Sequence, residues 1–201
     1  FSMKQISIRS VVNAALYLLA LSPAWSQVSV LTGQYDNART AANPNETILN
    51  TSNVNANQFG KLFSRSVDSY IFAQPLYVPN VSIAGKGVHN VVYVATMRNT
   101  VYAFDADDPA ASSSLWQVTL GTSLLTPSYP WLGAEIGILS TPVIDATSNT
   151  IYVVATTSSG GNVSEYLHAL DTATGQEKFG GPVLIQASVP GSGYDSLNGN
   201  V

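Results

Sequence analysis

Thr150-Ile-Tyr-Val-Val-Ala-Thr156, running on to Tyr166-Leu-His-Ala-Leu-Asp171 and then Phe179, decides the fold, because an earlier stretch repeats it. That earlier copy reads Val91-Val-Tyr-Val-Ala-Thr96, then Val101-Tyr-Ala-Phe-Asp105, then Leu115-Trp116. A proline-led strand precedes each, Pro75-Leu-Tyr-Val78 in the first and Pro142-Val-Ile-Asp145 in the second. Matching prolines lie 67 residues apart, tyrosines (Tyr93, Tyr152) 59 and aspartates (Asp105, Asp171) 66. Alternation and β-branched or aromatic content, bounded by Gly, Pro, Asn and Asp, mark the segments as short strands. One such unit cannot bury both of its faces, so it must stack on neighbours.

Working outward, the first repeat runs from 73 to about 120, with strands expected near 73–79, 90–96, 99–105 and 115–120. The second runs from 140 to about 186, with strands near 140–145, 149–157, 165–171 and 178–186. Phe59 to Val67 is a further candidate strand, with Phe63 as its aromatic. Residues 27–58 read as an irregular lead-in with one short helix near 53–57, and 187–201 as a Gly/Ser/Asn-rich tail. Four short strands per repeat is the pattern of a propeller blade. The expected fold is all-β: an incomplete propeller over 59–201, about two four-stranded antiparallel blades plus a closing strand. A sandwich or a solenoid is the alternative.

The N-terminus has its own logic. Lys4 and Arg9 precede an apolar run from Val11 to Leu21, and Ala24-Trp25-Ser26 places small residues where a signal peptidase reads. Residues 1–26 are therefore expected to be a signal peptide, with export to the periplasm or the extracellular space. The run is too short to span a bilayer, which takes roughly 20 residues, so no transmembrane anchor is expected after cleavage. The chain has 201 residues, 45% hydrophobic and 10% charged, which suits a packed core. A net charge of −4 and no basic cluster argue against a nucleic-acid partner. There are no cysteines, so disulfides, thiolate metal sites and cysteine nucleophiles are excluded.

The turn Ala169-Leu-Asp171-Thr-Ala-Thr-Gly175-Gln-Glu-Lys-Phe179 resembles the tryptophan-docking motif of quinoprotein propellers, the fold of pyrroloquinoline quinone (PQQ) dependent alcohol dehydrogenases. Ala169, Asp171 and Gly175 match that motif and Phe179 stands for its Trp. In the first repeat Ala103 and Asp105 match, Pro109 stands where Gly belongs, and Trp116 comes three residues late. Tyr35-Asp36-Asn37-Ala38-Arg39-Thr40 is similar to the leading segment of secreted PQQ-like repeat proteins. Independently of the resemblance, Asp171 suits an Asx turn, Gly175 supplies a positive φ, and a flat aromatic buries large area between blades. These are expected to be structural residues.

Candidate chemistry is thin. Serine-hydrolase, P-loop, zincin and dinucleotide motifs are all absent from the sequence. His89, near Gly85 and Gly87, reads as a solvated hairpin-turn residue, and His168 as a packed strand histidine. Asn45, Asn50, Asn80 and Asn162 begin N-glycosylation triplets. The loop Tyr129-Pro-Trp131-Leu-Gly-Ala-Glu135-Ile-Gly137 joins the repeats. The resemblance implies that such loops face the central funnel, where the enzymes stack PQQ on an aromatic floor and bind Ca²⁺ through carboxylate and amide oxygens. Trp131 would then stack the cofactor, and Glu135 would contact it and ligate the metal. Without that chemistry, the chain is a secreted PQQ-like propeller serving as a binding or scaffold module. No cofactor is then expected, the remaining blades of a longer chain are its first partners, and a protein or small molecule can bind at the funnel face. The alternative is the N-terminal part of a PQQ- and calcium-dependent dehydrogenase oxidising alcohols or sugars.

Overall fold

The computed structural model describes residues 28–126, 135–194 and 196. The segment expected to be a signal peptide and Trp131 lie outside them. Among the described residues ten strands are formed and no helix. The first repeat gives β1 (Leu76–Ile83), β2 (Gly87–Ala95), β3 (Thr100–Asp105) and β4 (Trp116–Thr119). They form an antiparallel sheet in the order β1-β2-β3-β4. Between the repeats, β5 (Leu124–Leu125) and β6 (Glu135–Ile136) pair as a two-stranded ribbon. The second repeat gives β7 (Val143–Asp145), β8 (Thr150–Ser159), β9 (Asn162–Asp171) and β10 (Val183–Ile185), again antiparallel and in sequential order.

Turn chemistry explains the meanders. Asn99 and Asn149 take positive φ at the β2–β3 and β7–β8 corners, a conformation asparagine tolerates. The β8–β9 hairpin closes through Gly160 and Gly161, both at positive φ, between the paired Ser159 and Asn162. Two such residues match the right-handed twist of the flanking strands. In β1 the register slips between Val78 and Val81, where Pro79 and Asn80 form a bulge on an edge strand of the sheet.

The two sheets pack face to face over one core. Leu76, Val91, Tyr93, Ala95, Val101 and Ala103 from the first sheet meet Ile144, Ile151, Val153, Ala155 and Leu170 from the second. The opposite face of the first sheet buries Val94, Tyr102 and Phe104, with Val67 against them.

Several expectations change. Residues 59–67 form no strand. Phe63 nevertheless lies beside Val92, Val94, Phe104 and the Asp105–Ala106 turn, lining a 250 Å³ pocket with them. The segment at 53–57 is a run of turns rather than a helix, because Asn50, Asn53 and Asn55 spend their side chains on nearby backbone and side-chain groups. The lead-in is also less loose than its composition implies. Val30 bridges Tyr77 at the free edge of β1, and the Leu31 carbonyl accepts from the Ile144 amide, so one segment ties the two sheets.

Candidate functional site

The residues shared by the two repeats meet at the seam between the sheets. Trp116 pairs with Ala103 in register, which brings its ring to the outer strand of the first sheet. From there it reaches the turn that follows β9. Its Nε1–H donates to the Thr172 carbonyl at 3.0 Å, and the Tyr93 hydroxyl donates to the same oxygen at 2.9 Å. The two rings are tilted, with centroids 5.8 Å apart. Burial pushes the Tyr93 phenol far up from its ordinary value, so it stays a neutral donor. Gly175 has φ +71°, and a β-carbon there would fall 2.6 Å from Trp116 Cε3. Only glycine serves both demands.

The Asp171 carboxylate organises this turn. Its Oδ1 accepts from the Ala173 amide and the Thr174 hydroxyl, each at 3.0 Å, and its carbonyl accepts from the Gly175 amide at 2.8 Å. The late position of Trp116 is absorbed in the β3–β4 loop. The Leu115 amide donates to the Ala103 carbonyl as the Lys178 amide donates to the Ala169 carbonyl, so Trp116 and Phe179 occupy equivalent places. Phe179 itself is exposed, with Lys178 over its ring.

The first repeat's turn is built differently. Asp105 Oδ1 accepts from the amides of Asp107 (2.8 Å) and Asp108 (2.9 Å). Its Oδ2 holds His89 Nδ1, while His89 Nε2 faces the Lys86 carbonyl at 2.9 Å. His89 therefore sits in β2 as a clamp and not in a solvated turn; the hairpin turn lies just before it, at Gly85 and Lys86. The Lys86 carbonyl and then Asp105 hold its pKa above the usual imidazole value. Burial opposes ionisation of Asp105, but the two amides and His89 together hold its carboxyl below the usual range.

At the other end of the sheets, Glu135 is buried and fully engaged. It accepts from Ser69 (2.6 Å), Ser123 (2.7 Å) and Arg98 Nη2 (3.0 Å), joining three segments distant in sequence. Burial pushes its carboxyl up, and the two hydroxyls with the guanidinium more than reverse this. Asp68 beside it accepts from Thr96 and Thr100, and the group borders a shallow 290 Å³ pocket with Tyr70. Calcium requires six to eight hard oxygens. A carboxylate already bound to a guanidinium and two hydroxyls does not fit that role, and no group of three or more His, Cys, Asp or Glu able to hold a metal occurs among the described residues.

His168 is buried on the face toward the first sheet, with Nδ1 2.9 Å from Glu177 Oε2. Asn45, Asn50, Asn80 and Asn162 are all exposed. The residues that sequence reading missed are Tyr93 and Thr172 at the seam, and Ser69, Arg98 and Ser123 around Glu135. Recurrence of tyrosine at 93 and 152 was the available signal for the first pair. The second group converges only through folding. No protein-family model, no curated protein and no solved structure matches the chain.

Proposed function

We propose that the chain is part of a secreted PQQ-like β-propeller that serves as a binding or scaffold module, its two four-stranded sheets being neighbouring blades. One observation carries this reading: Trp116 of one repeat seated on Gly175 and on the Thr172 carbonyl of the next. A sandwich does not need each sheet to present the same aromatic–turn pair in the same register. The binding role is favoured over dehydrogenation because Glu135, the carboxylate best placed for a metal, is spent on Ser69, Ser123 and Arg98. Export follows from the N-terminal segment, and N-terminal sequencing of secreted material should begin at Gln27. Retention of Met3 through Ser26 in the exported product would overturn the signal-peptide reading.

The functional test is a titration of the purified protein with PQQ in the presence of Ca²⁺. No stoichiometric quinone absorbance is expected. A saturable quinone signal that Glu135→Ala abolishes would replace the binding-module reading with the dehydrogenase.

A further inference from the structure

An Asp-Pro bond occurs once in the sequence, at Asp108-Pro109, in the loop between β3 and β4. Proline makes this bond a tertiary amide, and its ring nitrogen leaves readily once protonated. The fold arranges three groups around it. Asp108 Oδ1 accepts from the Ala110 amide at 2.8 Å. That Asx turn folds the carboxyl back across the peptide joining Asp108 to Pro109. The Asp108 carbonyl oxygen accepts from two donors, Arg65 Nη2 and the Ala111 amide, the latter at 3.3 Å. Arg65 arrives from 43 residues earlier in the chain. Its guanidinium lies over the Phe63 ring, 4.3 Å from the centroid, and Nη1 donates to the Ser64 carbonyl, so the fork is held in place. A turn of this kind needs only the Ala111 amide; the cation is additional. Two donors on one carbonyl oxygen, one of them charged, are the parts of an oxyanion site.

We propose that Asp108–Pro109 is a self-cleavage site, opened by the Asp108 carboxyl while Arg65 and the Ala111 amide hold the oxygen on which charge develops. A side-chain oxygen of Asp108 attacks its own main-chain carbonyl carbon, an intramolecular step that the turn pre-orients. The bond to Pro109 breaks, and the proton of the carboxyl passes to the proline nitrogen, which leaves as a secondary amine. A five-membered cyclic anhydride remains at Asp108. One water opens it, restoring the side-chain carboxyl and leaving a new C-terminal carboxyl. The net reaction is hydrolysis of one peptide bond.

The acid form of the carboxyl is the reactant, so cleavage rises as pH falls. The titratable and charged groups around it are Asp105 and Asp107 in the same turn, His89 from β2, Tyr77 from β1 and Arg65 from the 59–67 segment. Arg65 keeps its charge throughout. The cut would leave β4 paired with β3 and Trp116 on the Thr172 carbonyl, so the two pieces stay together as a nicked chain. This activity is independent of the propeller and binding-module readings, and its test involves no quinone.

The experiment incubates the purified full chain at about pH 4.5, where Asp105 with its lowered pKa stays ionised, both folded and unfolded in urea, and follows intact mass. The folded chain should split into two species, one beginning Pro109-Ala110-Ala111, at least about tenfold faster than the unfolded chain, and the pieces should co-elute until denatured. Loss of one donor from an enclosed oxyanion site costs about 10²-fold or more. Arg65 is only half-buried, so Arg65→Gln should slow the folded chain about tenfold and leave the unfolded rate unchanged. Asp108→Asn, which keeps an acceptor for the Ala110 amide, should abolish cleavage and covers the case in which Arg65→Gln fails to fold. In water enriched in heavy oxygen, the label should be shared between the two carboxyl groups of the new C-terminal Asp108. No cleavage, cleavage no faster than in urea, or label in the main-chain carboxyl alone would each overturn the proposal.

Discussion

The two aspartate-led turns, 105–109 and 171–175, close the same strand pair in the same register and are secured by different neighbours. Asp171 leads a turn that is shaped for another sheet: glycine four positions on, a ring packed on that glycine, and a carbonyl with two donors from across the seam. Asp105 leads a turn secured from within its own sheet, by His89 and the amides of Asp107 and Asp108. With Pro109 in place of glycine, the first turn takes Arg65 and Phe63 as neighbours instead of a tryptophan. The aspartate thus makes the turn, and the residue four positions on decides what can dock on it.

Replacing that residue should have the largest effect. Gly175→Val meets both the Trp116 ring and an unfavourable φ, whereas Gly161, at φ +85°, has nothing within 4 Å. Strain alone costs about 1–2 kcal/mol, and overpacking about 1–3 kcal/mol more. Denaturant unfolding should show Gly175→Val near 4 kcal/mol less stable, and Gly161→Val no more than about 2 kcal/mol. Equal losses would mean that Trp116 does not rest on the turn.

The next effect is cooperative. Tyr93→Phe and Trp116→Phe each remove one donor from the Thr172 carbonyl, and each should cost about 1 kcal/mol. Together they leave the buried Thr172 carbonyl without either donor, so the double variant should lose at least about 1 kcal/mol beyond the sum. Strict additivity in the double-mutant cycle would show that the two donors do not share that oxygen.

The Asp105 turn predicts a pH dependence. His89 has a folded pKa above its unfolded value, so its stabilisation is fully present below about pH 6.5 and is lost as pH rises through the raised value. Asp105 has a lowered pKa, so its share is present above about pH 4 and is lost as pH falls through its folded value. Melting of His89→Gln against the parent should differ most near pH 5–6 and converge by about pH 9. A gap that stays constant from pH 5 to 9 would break the assignment. The smallest effect belongs to Phe179→Ala, within about 0.5 kcal/mol in this chain because the ring is exposed. Trp116→Ala should cost about 3 kcal/mol. A large loss at Phe179 would mean that its face is already covered.

How much of this was legible in the sequence follows from the range of each interaction. Strand positions, antiparallel order and the Asp171 turn are local: alternation, β-branching and the glycine spacing act over a few residues, and β2, β3, β8 and β9 fall where the pattern of 91–105 and 150–171 puts them. The pattern failed at 59–67, where Phe63 and Val67 are apolar enough for a strand but find their place against a sheet face rather than in a ladder. It also failed at His89, whose role depends on Asp105 two strands' length away.

Sequence by itself determined an all-β chain of two equivalent four-strand units, because backbone conformation and the burial face of a strand are set by neighbouring residues. Tertiary structure alone decided which units meet, which turn receives Trp116, and that Glu135 serves Ser69, Ser123 and Arg98. Those partners are separated by 56, 66, 12 and 37 residues. Contacts across such separations arise from how the sheets stack, and no local spacing encodes them.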